Sequence, residues 1–195
     1  MTAVLHFNLL GKLQISSDEE LVEDRLTTKA HALLCYLLIT KQAHTRHSLA
    51  GLFWGDSADK KAKNSLRVAL SAIRRLLPDV LISEWQTVAF NQEVPFTLDV
   101  TQFATKTRGL LSEESAHQLS QADLETAVSL YRDDFLTDFH VDDAPLFEEW
   151  VLSQRAQWQE VAIKTFTALT QHYMQQGSYR DAITPLHRLL QVEPW

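Results

Sequence analysis

Lys60-Lys61-Ala62-Lys63-Asn64-Ser65-Leu66-Arg67-Val68-Ala69-Leu70-Ser71-Ala72-Ile73-Arg74-Arg75-Leu76-Leu77, followed at once by Pro78, is the stretch on which the rest of the chain turns. Set at 100° per residue, Leu66, Ala69, Leu70, Ile73, Leu76 and Leu77 fall on one side. Lys60, Lys63, Asn64, Arg67, Ser71, Arg74 and Arg75 fall opposite, with Lys61 and Val68 at the margin. The pattern predicts a helix over Lys60 to Leu77, capped by Asp59 and stopped by Pro78, which cannot continue the backbone ladder. No acidic residue interrupts it. Solvated helix faces ordinarily mix both signs of charge, so a face of cations and amides alone suits a polyanion.

Working toward the N-terminus, Arg46 to Phe53 reads as a second helix with Leu49, Leu52 and Phe53 on one side. Lys29 to Thr40 reads as a first helix, capped by Thr28, with Ala30, Leu33, Leu34, Leu37 and Leu38 at three- and four-residue steps. Before them, Val4 to Leu10 and Leu13 to Ser17 read as a hairpin turning at Gly11-Lys12. Toward the C-terminus, Leu81 to Ser83 and Thr87 to Phe90 read as two strands around Glu84-Trp85-Gln86, with a further extended stretch at Phe96 to Leu98. Beyond Asp99 the chain reads as helical over Val100 to Leu111, Gln121 to Tyr131, Ala144 to about Gln176, and Tyr179 to Val192. Gly177 suits the left-handed cap between the last two. Ala182, Leu186, Leu189 and Leu190 after Gly177-Ser178-Tyr179 match the second half of a tetratricopeptide repeat. The expected fold is therefore an α+β winged helix over 1–98 followed by an all-α, tetratricopeptide-like domain over 99–195.

The 195 residues are 45% hydrophobic and 22% charged, with five Gly and five Pro, a composition of ordered globular chains. The net charge of −7 conceals an asymmetry. Residues 1–98 carry 11 Lys and Arg against 10 Asp and Glu; residues 99–195 carry 7 against 15. From Arg25 to Asp79 there are ten basic residues and three acidic ones, a local footprint that attracts phosphate. The helix of Lys60 to Leu77 can enter a major groove, about 12 Å wide, with Arg67 and Asn64 suited to guanine and adenine edges and the lysines to phosphates. Thr45, Arg46, His47 and Ser48, at the start of the second helix, can meet a further phosphate through exposed backbone N–H groups. The expected DNA-binding set is thus Lys60, Lys61, Lys63, Asn64, Arg67, Ser71, Arg74, Arg75, Thr45, Arg46, His47 and Ser48.

Several motifs together resemble the winged-helix domain of OmpR-type regulators, most closely in its form in the SARP family, the antibiotic regulatory proteins. They are Leu9-Leu10-Gly11-Lys12-Leu13; Thr28-Lys29-Ala30 with Ala32-Leu33-Leu34-Cys35-Tyr36-Leu37; Leu49-Ala50-Gly51-Leu52-Phe53-Trp54; and Asn64-Ser65-Leu66-Arg67 through Ile73-Arg74-Arg75-Leu76. The acidic half resembles that family's bacterial transcriptional activator domain through Leu98-Asp99-Val100 with Phe103, Ala127 to Leu136, and Phe147-Glu148-Glu149-Trp150-Val151 with Arg155. The family usually has Gly where Asp133 stands. The resemblance implies a transcription regulator, with the 60–77 helix as recognition helix and Glu84 to Thr87 as a wing that lacks the Lys or Arg such wings carry. It further implies that the loop from Trp54 to Asp59 can touch RNA polymerase and that copies line up on DNA along direct repeats; the acidic half, at net −8, repels its own copies, so a monomer or weak dimer is expected off DNA and pairing on it. Because Glu193-Pro194-Trp195 falls mid-pattern for a helical repeat, the chain reads as part of a longer protein, in which related regulators carry nucleotide-binding and further repeat modules.

Other readings are weaker. His44 and His47 lack the third and fourth ligands a zinc site requires and read as surface histidines. Cys35, the lone cysteine, reads as a small core residue and fits a reducing cytoplasm. Asp133-Asp134, Asp142-Asp143 and Glu148-Glu149 read as helix N-terminal acids. There is no phosphate-binding P-loop, nucleophile elbow or zinc-protease motif, so no catalytic residue, metal or cofactor is expected. The longest uncharged apolar stretch, Ala30 to Thr40, is too short to span a bilayer, and Met1-Thr2-Ala3-Val4 begins no secretory signal. The rival reading is a tetratricopeptide-like interaction adaptor that does not bind DNA.

Overall fold

A computed structural model describes residues 4–17, 20–21, 25–110 and 119–192. The expected helix end at Leu111 and the readings made at Met1-Thr2-Ala3 and at Glu193-Pro194-Trp195 lie outside these residues. The elements in order are β1 (Leu5–Asn8), β2 (Gln14–Ser17), β3 (Glu20–Leu21), α1 (Thr28–Thr40), β4 (His44–Thr45), α2 (Arg46–Trp54), α3 (Asp59–Leu76), β5 (Leu81–Ser83), β6 (Thr87–Phe90), β7 (Phe96–Leu98), α4 (Asp99–Thr107), α5 (Gln121–Leu130), α6 (Pro145–Gln175) and α7 (Tyr179–Val192). One sheet has the order β3-β2-β1-β7, the other β4-β6-β5. The chain forms two compact units: Met1–His6 with Gln14–Phe96 and Phe139–Val151, and Phe7–Leu13 with Thr97–Asp138 and Leu152–Trp195. Along the chain the segments of the two units alternate.

In the first unit α1, α2 and α3 enclose a core of Leu33, Leu34, Leu37, Leu49, Phe53, Leu66, Leu70 and Ile73, all buried. Each such side chain contributes about 1.5–3 kcal/mol by leaving water. Cys35 is buried among them. Thr27 caps α1, its hydroxyl accepting from the Ala30 N–H at 3.3 Å, whereas Thr28 was expected; Thr28 already has helical backbone and Thr27 holds the extended one. Antiparallel β5 and β6, joined at Leu81↔Phe90 and Ser83↔Val88, gain β4 as a third strand through His44↔Val88 and Thr45↔Thr87. Residues 139–151, which follow α5 in the chain, cluster with this unit. Phe147 packs on Phe53, ring centroids 5.1 Å apart, and Trp150 meets Tyr36 at 5.0 Å.

The second unit is organised by a buried carboxylate. Asp99, at the start of α4, accepts from the N–H groups of Leu9 (2.8 Å) and Leu10 (2.9 Å) and pairs with the Arg132 guanidinium at 2.7 Å. Burial pushes its carboxyl above the usual carboxylate range, against the Leu9, Leu10, Arg132 and Val100 donors. The expected two-residue turn at Gly11-Lys12 is instead a longer connection. Leu10 and Gly11 bridge to Phe135, and Gly11, at φ 122°, donates to Asp134 O at 3.0 Å. A Cβ on Gly11 would lie 3.3 Å from that of Arg132.

The α6–α7 turn is a Schellman cap. Gly177 at φ 74° donates to Met174 O (3.2 Å) and Ser178 donates to Tyr173 O (2.9 Å). α7 runs through Pro185, which is buried beside Ala182, while Tyr179, Ile183, Leu186 and Leu190 stay exposed. No described helix is long and apolar enough to cross a membrane.

Candidate nucleic-acid interface

α3 starts one residue earlier than its sequence pattern suggested. Asp59 lies inside the first turn, where it meets Lys63 at 2.6 Å, and the cap position is Ala58, which makes no side-chain cap hydrogen bond. Asp59 is therefore a first-turn acid on the favourable end of the helix dipole, not a cap. Ala62, Leu66, Ala69, Leu70 and Ile73 are buried, and Leu77 just past the helix is buried with them. Leu76, expected inward, is only half-buried. Lys60, Lys61, Lys63, Asn64, Arg67, Ser71, Arg74 and Arg75 are all exposed. On this face Arg67 donates to Asn64 Oδ1 at 3.0 Å, so the two side chains offered for base edges already orient one another. A cleft of ≈ 460 Å³ runs along the flank of α3, lined among others by Thr28, Lys29, Trp54, Asn64, Val68 and His140.

At the start of α2, Thr45 is the cap, its hydroxyl accepting from the Ser48 N–H at 3.0 Å. Thr45, His47 and Ser48 are exposed. Arg46 is committed elsewhere. Its guanidinium donates to Ser83 Oγ (2.7 Å) and Glu84 O (3.2 Å), and its backbone N–H donates to Gln86 O (2.9 Å), tying the α2 N-terminus to the β5–β6 hairpin. The sequence signal, a cation before a helix, did not separate a phosphate ligand from a hairpin clamp. His44, read as a surface histidine, is half-buried, with Nε2 2.8 Å from Thr40 Oγ1 and its ring 4.9 Å from Tyr36. Burial lowers its pKa. Among the described residues no cluster of three His, Cys, Asp or Glu is placed to hold a metal.

Within the 54–59 loop, Trp54 ends α2 and Asp59 opens α3, and Ser57 N–H donates to Trp54 O at 3.0 Å. Lys29 Nζ sits 5.8 Å from the Trp54 ring centroid and donates to Phe53 O at 2.9 Å, fixing the start of the loop. Of the acid pairs, Glu148 is in the first turn of α6 and accepts from Val141 N–H at 2.8 Å. Asp133 and Asp134 are not helix N-terminal. They lie in the connection between α5 and α6, where Tyr131 donates its hydroxyl to Asp134 at 2.8 Å.

Three helices followed by a β-hairpin form a winged helix, and the helices of the second unit form a tetratricopeptide-like partner. The model of the bacterial transcriptional activator domain matches residues 98–195, and the chain belongs to that family, as a SARP-type transcription regulator. Its fold is similar to that of Mycobacterium tuberculosis EmbR, solved in complex with a low-affinity phosphopeptide, at a TM-score of 0.63 and 19% identity. That likeness covers 97% of this chain and 59% of the EmbR chain. Comparison with curated protein sequences returns no match.

Proposed function

We propose that the chain is a sequence-specific, double-stranded-DNA-binding transcription activator whose α3 reads the major groove. The observation that carries this reading is the outer face of α3. Eight candidate contacts from Lys60 to Arg75 are exposed on one helix, with Asp59 at its start as the only carboxylate in the element. Thr45, His47 and Ser48 supply phosphate contacts at the α2 N-terminus, and Arg46 acts mainly by holding the hairpin beside them. In this reading residues 1–98 carry DNA binding and the acidic residues 99–195 carry regulation and protein contacts. The 54–59 loop is offered to RNA polymerase, the protein works in the cytoplasm, and two copies pair on DNA.

The test is binding of the full chain to a random-sequence duplex across a salt series. Phosphate contacts release counterions, so log affinity falls steeply and linearly with log salt concentration. A negligible signal at low salt would instead favour the adaptor reading, in which the helical unit acts without DNA.

A further inference from the structure

The cleft along the flank of α3 encloses ≈ 460 Å³, and every residue that lines it belongs to the first unit. That is room for a small organic molecule, whose sites run from about 300 to about 1,000 Å³. Part of the lining is apolar: Val68, Ala69 and Ala72 of α3, together with the buried Val141. Val68 is 56% exposed, an aliphatic side chain that the fold leaves uncovered. Beside this apolar part stand Trp54 and Lys29, with Lys29 Nζ 5.8 Å from the indole centroid. Lys29 is half-buried, and two carbonyls fix its Nζ, Phe53 O at 2.9 Å and Asp143 O at 3.3 Å. Among the described residues no carboxylate pairs with it. The acid that lines the cleft, Asp142, faces His140 Nε2 instead, at 3.4 Å.

We propose that this cleft is an effector site for a flat aromatic carboxylate, whose rings lie on Val68, Ala72 and Val141 and whose carboxylate pairs with Lys29. An ammonium has three N–H donors. The two carbonyls take two of them, and the third is left for the ligand. Because those carbonyls already hold the lysine, it meets an anion without first losing its side-chain freedom. Covering Val68 removes apolar surface from water on both partners. An inorganic phosphate would use the cation and leave the apolar part in water, and a hydrocarbon would do the reverse. An aromatic carboxylate uses both. Asn64 also lines the cleft, and on the outer face of α3 its Oδ1 accepts from Arg67. A ligand beside Asn64 therefore competes with a base edge for that amide, so occupancy weakens sequence-specific binding. This consequence rests on the DNA-binding reading given above, whereas the ligand site does not. The coupling is reciprocal, so a selected duplex weakens the ligand by the same factor.

The probe is β-naphthoate, with β-naphthamide as its neutral counterpart and acetate as a carboxylate without rings. Each is titrated into the full chain at constant ionic strength and followed by calorimetry and by the indole N–H NMR signal of Trp54. Lys29→Gln keeps N–H donors for the Phe53 and Asp143 carbonyls and removes the charge, while Ala72→Met fills the cleft and leaves Lys29 in place. Thermal melting checks that both variants fold. The parent is expected to bind one naphthoate per chain with a Kd of about 1 mM or tighter. Either variant, the amide and acetate should each weaken that by about tenfold or more. At saturating naphthoate, affinity for a duplex selected from a random pool should fall by about fivefold, with a mixed-sequence duplex unaffected. No saturable binding, equal binding by Lys29→Gln and the parent, or equal binding of the amide would each overturn the site. An unchanged affinity for the selected duplex would overturn the effector role. A parent chain that binds naphthoate and no duplex would keep the carboxylate site and remove the DNA-binding reading.

Discussion

His31 lies on the buried side of α1 with its Nε2 lacking a hydrogen-bond partner among the described residues, and burial holds its pKa below the ordinary histidine value. Below about pH 6.5 the unfolded chain takes up a proton that the folded chain refuses, so stability falls as pH drops through that window. His31→Leu removes both the orphaned nitrogen and this acid limb. It should raise stability by about 1 kcal/mol at neutral pH, and by more near pH 5.5, as followed by thermal melting. His44, shifted the same way, keeps part of the limb in the variant. On α3 the paired Arg67 and Asn64 make a different prediction. Arg67→Ala should cost about 1–3 kcal/mol on a duplex selected from a random pool and relax the preference at one base position. Unchanged affinity on the selected duplex would remove Arg67 from the reading set. Lys60→Ala should weaken all duplexes alike and lower the salt slope by about 1.

Gly51 sits inside α2 with open space where a Cβ would go, so it costs helix stability without relieving any crowding. Gly51→Ala is expected to stabilise the chain by about 0.5–1 kcal/mol in denaturant melts with no change in DNA affinity. Gly55 allows no such change, because a Cβ there would come within 2.7 Å of Gly51 O. The elements legible in sequence were those whose signals are local. β5, β6 and β7 begin and end where their branched and aromatic residues do, and α7 runs from Tyr179 to Val192 as its spacing required. What was missed depends on partners distant in sequence. β4 is a strand because Val88 and Thr87 pair with it, and the Gly11 turn follows Phe135 rather than its own two residues. Neighbouring threonines hid which one caps α1. The α3 face was legible because one helix carries it whole, whereas the Arg46 clamp needs Ser83 and Glu84, far along the chain.

For the molecule as a whole, one recognition helix spans only a few base pairs, so two copies about one turn apart gain by effective concentration. Cooperative binding is expected on direct half-sites spaced by about 10 to 11 base pairs, read by footprinting or mobility shift. Inserting about five base pairs turns one copy to the opposite face and should abolish it; cooperativity that survives the insertion would exclude this arrangement. The interleaving of the two units bears on ancestry as well. Phe139–Val151 completes the unit that holds α1 to α3, and Phe7–Leu13 completes the unit that holds Asp99. A genetic crossover between codons 98 and 99 would leave one descendant without the aromatic lid on Phe53 and another without the backbone donors of its buried carboxylate. Recombination among regulators of this kind is therefore expected to preserve the pair as a single heritable block, and grafts between them to succeed only when both exchanged segments travel with their units.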